Sequence, residues 1–126
     1  MLSNKDAIAT IAVKDIDTAG KFYEGTLGWK KADKGSDEGV SFQSGNSTIF
    51  VYRSQFAGTN QATALTIKVG DELEKVVQSL KAKGVHFEHY DMPGLEVQGD
   101  IHVAGSFKAA WFKDPDGNIL HINNQK

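Results

Sequence analysis

Cysteine is absent from this chain. That removes disulfide staples, thiolate nucleophiles and sulfur-ligated metals from the available chemistry. Net charge is almost absent too: 14 Lys and Arg stand against 16 Asp and Glu, net −2, and the two signs are interspersed. Such a surface holds neither a nucleic acid nor an anionic membrane. No apolar run approaches the length of a membrane span, and the first residues, Met1 to Asp6, lack the apolar stretch of a signal peptide. The expectation is a soluble, cytoplasmic protein. At 126 residues the chain is long enough for one compact domain that buries roughly two-thirds of its unfolded surface. It needs no metal or disulfide to hold itself together.

What is present is a plan stated twice. Residues 11–28 combine the end of a strand, a helix start, an amphipathic helix and a glycine stop. Val13, Asp15 and Gly28 recur as Val69, Asp71 and Gly84, all at one offset (69 − 13 = 71 − 15 = 84 − 28 = 56). One offset shared by three unlike residue types predicts two modules, each opening with a strand and a helix.

Along the first module, approximately residues 7–53, Ala7 to Val13 alternates as a strand with Ile8, Thr10 and Ala12 on one face. Asp15 or Asp17 can cap the next helix, whose apolar side is Ala19, Phe22, Tyr23 and Leu27. Gly28 ends it in the left-handed conformation. Trp29 to Asp33, Val40 to Gln43 and Ser47 to Arg53 read as three strands, completing a βαβββ unit. Residues 54–62 are the linker. The second module, residues 63–126, begins with the strand Thr63 to Val69 and the helix Asp71 to Lys83, with Leu73, Val76, Val77 and Leu80 along one side. Val85 to His89 returns as a strand. Between Tyr90 and Gly105 the period is lost. Matching Gly45 to Gly117 gives an offset of 72, so this segment holds 72 − 56 = 16 extra residues, read as a long loop of the kind that forms lids and binding loops. A closing hairpin, Ser106 to Lys113 and Ile119 to Asn123, turns through Asp114-Pro115-Asp116-Gly117-Asn118.

The residues Val13-x-Asp15, Phe22-Tyr23, Leu27-Gly28-Trp29, the second Val69-x-Asp71 with Gly84-Val85, and the terminal Asp114-Pro115-Asp116-Gly117-Asn118 resemble the vicinal oxygen chelate superfamily. That group contains glyoxalase I, extradiol dioxygenases, fosfomycin-resistance enzymes and bleomycin-resistance proteins. The resemblance spans nearly the whole chain. It implies an α+β fold of two βαβββ modules forming one domain over residues 1–126, with a mixed, curved sheet around a cavity and helices outside. It also implies homodimerisation and, in the enzymes, a divalent metal held at four strand positions.

Carried over one at a time, those positions are Ile8, Phe50 (with Tyr52 the alternative), Ala64 and His121. Three of the four cannot ligate a metal, and a divalent site takes three or more N or O ligands. No cofactor is therefore expected. Strand alternation puts Ile8, Thr10, Ala12, Phe50, Tyr52, Ala64, Thr66, Lys68, Ile119 and His121 on the cavity wall, which suits a small organic molecule oriented by a few polar groups. The leading expectation is a metal-free binding protein of the bleomycin-resistance type. The alternatives are a metal-dependent lyase, transferase or dioxygenase using His121 together with ligands such as His102, Glu96 or Asp100 from the long loop, and an interaction domain whose cavity is vestigial and filled by Phe42, Phe50, Tyr52 and Trp111.

His121 reads either as a ligand hydrogen-bond partner or general base, or as a satisfied histidine of the wall. His102 reads as a solvated loop histidine, with closure over the pocket as its other role. Trp111 can stack on an aromatic ligand or serve the core. Lys68 and Arg53 can pair with a ligand anion or extend to water. His86 and His89 point to opposite faces of a strand and do not form a metal pair.

Overall fold

A computed structural model describes the whole chain, residues 1–126, as two compact units, Met1–Ala57 and Gly58–Lys126. The first contains β1 (Ala9–Val13), α1 (Ile16–Gly20), a π-helix (Lys21–Thr26), β2 (Lys30–Lys31), β3 (Gly39–Ser44) and β4 (Ser47–Arg53). The sheet order is β1-β4-β3-β2. β1 and β4 are parallel, and the other pairs are antiparallel. Parallel neighbours need a long crossover, which the helix and the intervening strands supply.

Asp15 starts the helix: its carboxylate accepts from the Asp17 N–H at 3.2 Å and the Thr18 hydroxyl at 2.8 Å. These bonds, Thr18 first, hold the carboxyl below its usual pKa. The sequence predicts one regular helix to Leu27, but its second half is a π-helix, in which the Leu27 N–H reaches the Phe22 carbonyl five residues back at 3.0 Å. Gly20 precedes this wider turn and Gly25 lies within it, and glycine holds a regular helix least well. Tyr23 is buried and stacks on Trp29 with ring centres 5.2 Å apart. Ile11, Val13, Val40, Phe42, Ile49 and Val51 complete this core from the helix side of the sheet.

The second unit contains β5 (Thr63–Lys68), a 3-10 turn (Gly70–Glu72), α2 (Leu73–Ala82), β6 (Phe87–Glu88), β7 (Glu96–Gln98), β8 (Ile101–Ala104), β9 (Phe107–Lys113) and β10 (Ile119–Asn123). The order is β5-β10-β9-β8-β7, with β6 also on β9. β5 and β10 are parallel. Leu73, Val77 and Leu80 of α2 are buried with Phe112, Leu120 and Ile122. Asp71 does not repeat the role of Asp15: no side chain caps α2, and Asp71 pairs with Lys126 at 3.2 Å. Gly28 and Gly84 do correspond, with φ of 80° and 91°.

The expectation of a long loop over residues 90–105 is corrected. Its second half is the β7–β8 hairpin, which extends the sheet beyond β9, so the second unit is a βαβββ plan with two strands added. β6 and β8 share one edge of β9, β6 at Trp111 and Phe112, β8 at Phe107 to Ala109. The closing turn is held by Asp114, whose buried carboxylate accepts from the N–H groups of Asp116 (3.0 Å) and Asn118 (2.8 Å) and from the Asn118 amide (2.8 Å). Gly58, at φ 73°, lies so close to the Asp116 carbonyl that a Cβ would overlap it.

Candidate functional site

The face of the second sheet opposite Phe112, Leu120 and Ile122 carries two cross-strand rows. One runs Thr66, His121, Trp111, Glu88; the other runs Lys68, Asn123, Ala109, His102. Trp111 is the hub. Its ring centre lies 4.5 Å from that of His121, 4.8 Å from His102 and 5.5 Å from Tyr90. The indole N–H donates to the Thr63 hydroxyl at 3.2 Å, giving a buried Trp the partner it needs. Tyr90, Met92, Leu95 and Phe107 pack around Ala109, Trp111 and Ile119 as a second apolar cluster.

His121 is 8% exposed, and its Nε2 faces the Asn123 Nδ2 at 3.1 Å. The Asn123 Oδ1 accepts from the Gln125 N–H at 3.0 Å. The Nδ1 of His121 is buried without a hydrogen-bond partner. Burial, then the nearby His102, lowers the pKa of His121, so the ring is neutral at neutral pH. His102 is fully buried on β8, correcting the expectation of a solvated loop residue. Its Nε2 accepts from the Tyr90 N–H at 2.9 Å, and burial, then His89, lowers its pKa. The Tyr90 hydroxyl and His102 Nδ1 likewise have no hydrogen-bond partner. At the rim, Asp100 accepts from Lys81 at 2.7 Å and meets His89 at 2.8 Å. Those two contacts, Lys81 first, lower its pKa and tie the hairpin to α2.

Of the residues singled out in the sequence, Ile8, Thr10, Phe50 and Tyr52 belong to the first unit. Thr10 and Phe50 are register partners, and the Phe50 and Tyr52 rings stack in parallel with centres 6.2 Å apart. Both rings are more than a third exposed, at 37% and 38%, and Ile8 is exposed as well. Phe42 lies in the helix-side core with Tyr23 and Trp29, not on this face. Ala64, Thr66, Lys68, Trp111, His121 and His102 belong to the second unit, where Thr66 and Trp111 each pair with His121 across the sheet and Ala64, Thr66 and Lys68 are exposed. Sequence reasoning missed Tyr90 and Asn123. The signal for Asn123 was its place two residues after His121 on one strand, which puts both on one face. The first unit also has an open groove of about 520 Å³ edged by Asp17, Lys21, Glu24, Lys31 and Lys34, with charges of both signs.

The divalent metal implied by the resemblance does not fit these residues. Ile8, Phe50 and Ala64 offer only carbon, and no three His, Cys, Asp or Glu side chains gather where they could hold an ion. The proposed substitutes are otherwise engaged or displayed: Asp100 by Lys81 and His89, His102 by Tyr90, with Glu96 exposed on β7. At His121 itself, the Asn123 amide occupies Nε2.

Several solved structures share the fold. A glyoxalase family protein from Enterococcus faecalis matches with a TM-score of 0.72 at 20% identity, over 98% of this chain and 99% of that one. The fosfomycin resistance protein FosX from Listeria monocytogenes matches at 0.71 and 17%, over 100% and 94%. A lactoylglutathione lyase from Agrobacterium tumefaciens matches at 0.70 and 15%, over 94% and 92%. At these identities the likeness shows the fold alone. No curated protein sequence matches the chain significantly. The family model does match, from residue 6 to residue 122, and the chain belongs to the Glyoxalase/Bleomycin resistance protein/Dioxygenase superfamily.

Proposed function

We propose that this protein binds a small organic molecule against the imidazole and indole wall of its second sheet, and acts by binding or by acid–base chemistry without a metal. The carrying observation is His121 Nδ1, buried beside Trp111 with no protein partner. A buried polar atom left unpaired costs about 1–3 kcal/mol, a cost that a ligand atom placed there removes. Trp111, Met92 and Leu95 supply the apolar surroundings that small-molecule sites use, and His121 and Thr66 supply the few polar groups. Homodimerisation belongs to this reading, supported by the exposed Ile8, Phe50 and Tyr52. Light scattering tests it.

A thermal-shift screen of small organic compounds on the wild type and on His121→Ala tests the binding. Compounds that stabilise the wild type and lose that effect in the variant support the reading. A silent screen, or about one tightly held metal per chain by elemental mass spectrometry, overturns it.

A further inference from the structure

The contacts of His121 fix which of its nitrogens carries the proton. The Asn123 amide is oriented by the Gln125 N–H, which donates to Oδ1 at 3.0 Å. That leaves Nδ2, a donor with no acceptor capacity, turned to His121 Nε2 at 3.1 Å. Two donors cannot face each other, so Nε2 accepts, and the proton of the neutral ring sits on Nδ1. His102 is set the same way: its Nε2 accepts from the Tyr90 N–H at 2.9 Å, leaving the proton on Nδ1. Neither Nδ1 has a hydrogen-bond partner, nor has the Tyr90 hydroxyl. All three side chains pack on Trp111. Lys68, the register partner of Asn123, adds an ammonium group to the same row.

We propose that Asn123 is a positioning residue that locks His121 as an Nδ1–H donor, and that this wall takes the acceptor oxygen of a carboxylate or carbonyl compound with an apolar body. A ligand offering only N–H donors finds no acceptor on His121, because the lone pair is spent on Asn123. The same lock removes the ring from service as a general base at its free nitrogen and leaves it a donor to a ligand oxygen. This inference deepens the binding reading and rests on it for the ligand class, whereas the tautomer belongs to the free protein.

The test is nitrogen-15 NMR of the histidine rings in the intact protein, above the pH at which they protonate, with benzoate, acetophenone and benzylamine as probes. The expected spectrum has His121 protonated at Nδ1. In Asn123→Asp the new carboxylate accepts instead of donating and moves the proton to Nε2. Benzoate or acetophenone at millimolar concentration shifts the His121 signals and benzylamine does not. The Asp variant weakens the acceptor probes by about tenfold, the scale of one lost hydrogen bond. A wild-type ring protonated at Nε2 overturns the lock, and it does so whether or not Asn123→Asp folds. Benzylamine binding in preference to the acceptors, or silence from all three probes, overturns the ligand class. The binding reading itself falls to a silent broad thermal-shift screen or to a tightly held metal, not to these probes alone.

Discussion

The two units start alike and finish one sheet face differently. In the first, the face away from the helix carries Thr10, Phe50 and Tyr52, and its stacked rings remain more than a third exposed. In the second, Tyr90, Met92 and Leu95 pack on Trp111 and Ile119. The difference traces to the 16 extra residues between β6 and β9 (72 − 56 = 16). Part of that length became the β7–β8 hairpin, and the part before it supplied the apolar side chains. A modest insertion thus gave one sheet a core on its second face and left the other bare. It also brought His102 and Tyr90 to His121 and Trp111, so the same insertion built the candidate site.

The strongest test of this contrast is truncation of an aromatic on each face. Trp111→Ala removes a ring that is 9% exposed and is expected to cost about 3–5 kcal/mol. Phe50→Ala, on the bare face, is expected to cost less than about 1 kcal/mol in the monomer. Urea midpoints measure both, and equal losses would mean the two faces are packed equally. The turns give the next contrast. Gly45 and Gly117 occupy matching hairpin turns, and the space around Gly45 is open, whereas Gly58 lies against the Asp116 carbonyl beside Gly117. Gly45→Ala meets only the strain of a positive φ, about 1–2 kcal/mol. Gly58→Ala adds overlap with backbone and is expected to lower the urea midpoint further. If Gly58→Ala is the milder change, the close approach is not held in solution.

The helix starts differ by less. Asp15→Ala removes two hydrogen bonds at the head of α1 and should lower Tm by a few degrees. Asp71→Ala breaks only an exposed pair with Lys126 and should leave Tm unchanged within error. The mildest test is titration. The folded-state pKa values of His102 and His121 lie below the ordinary 6.5. Below that value the unfolded chain takes up protons that the folded chain refuses, so stability falls as pH drops from 7 toward 5. His102→Gln should flatten that slope. A wild-type Tm independent of pH over this range would show that neither ring is held neutral.

Much of the architecture was legible because it depends on local chemistry. The repeated strand and helix openings, the glycine stops at Gly28 and Gly84 and the Asp114 to Asn118 turn each follow from the conformational preferences of their residues. The apolar side of α2 was read correctly at Leu73, Val77 and Leu80 because helical periodicity survives in sequence. The segment after Tyr90 was not legible, because Tyr90, Met92 and Leu95 follow no single period and are buried by tertiary packing alone. A signal for the hairpin existed in Gly99-Asp100, a two-residue turn between Glu96–Gln98 and Ile101–Ala104. His121 was named from the family resemblance and from alternation, and Trp111 as an aromatic sharing a strand face with Phe107 or Ala109. Their link to His102 runs across β8 and β9, a pairing that no local rule reaches.

The π-helix at Lys21–Thr26 bears on how the first unit tolerates a change of length. A bond spanning five residues holds one more residue in its turn than an α-helix of the same direction and purpose. The segment therefore holds one residue of slack, and a chain one residue shorter here could close it as a regular helix. Gly25 lies within this turn, and a Cβ added there would meet open space. Such a shortened chain would bring Tyr23 and Trp29 one residue closer in sequence, so the ring stack that anchors the first unit depends on how that slack is taken up.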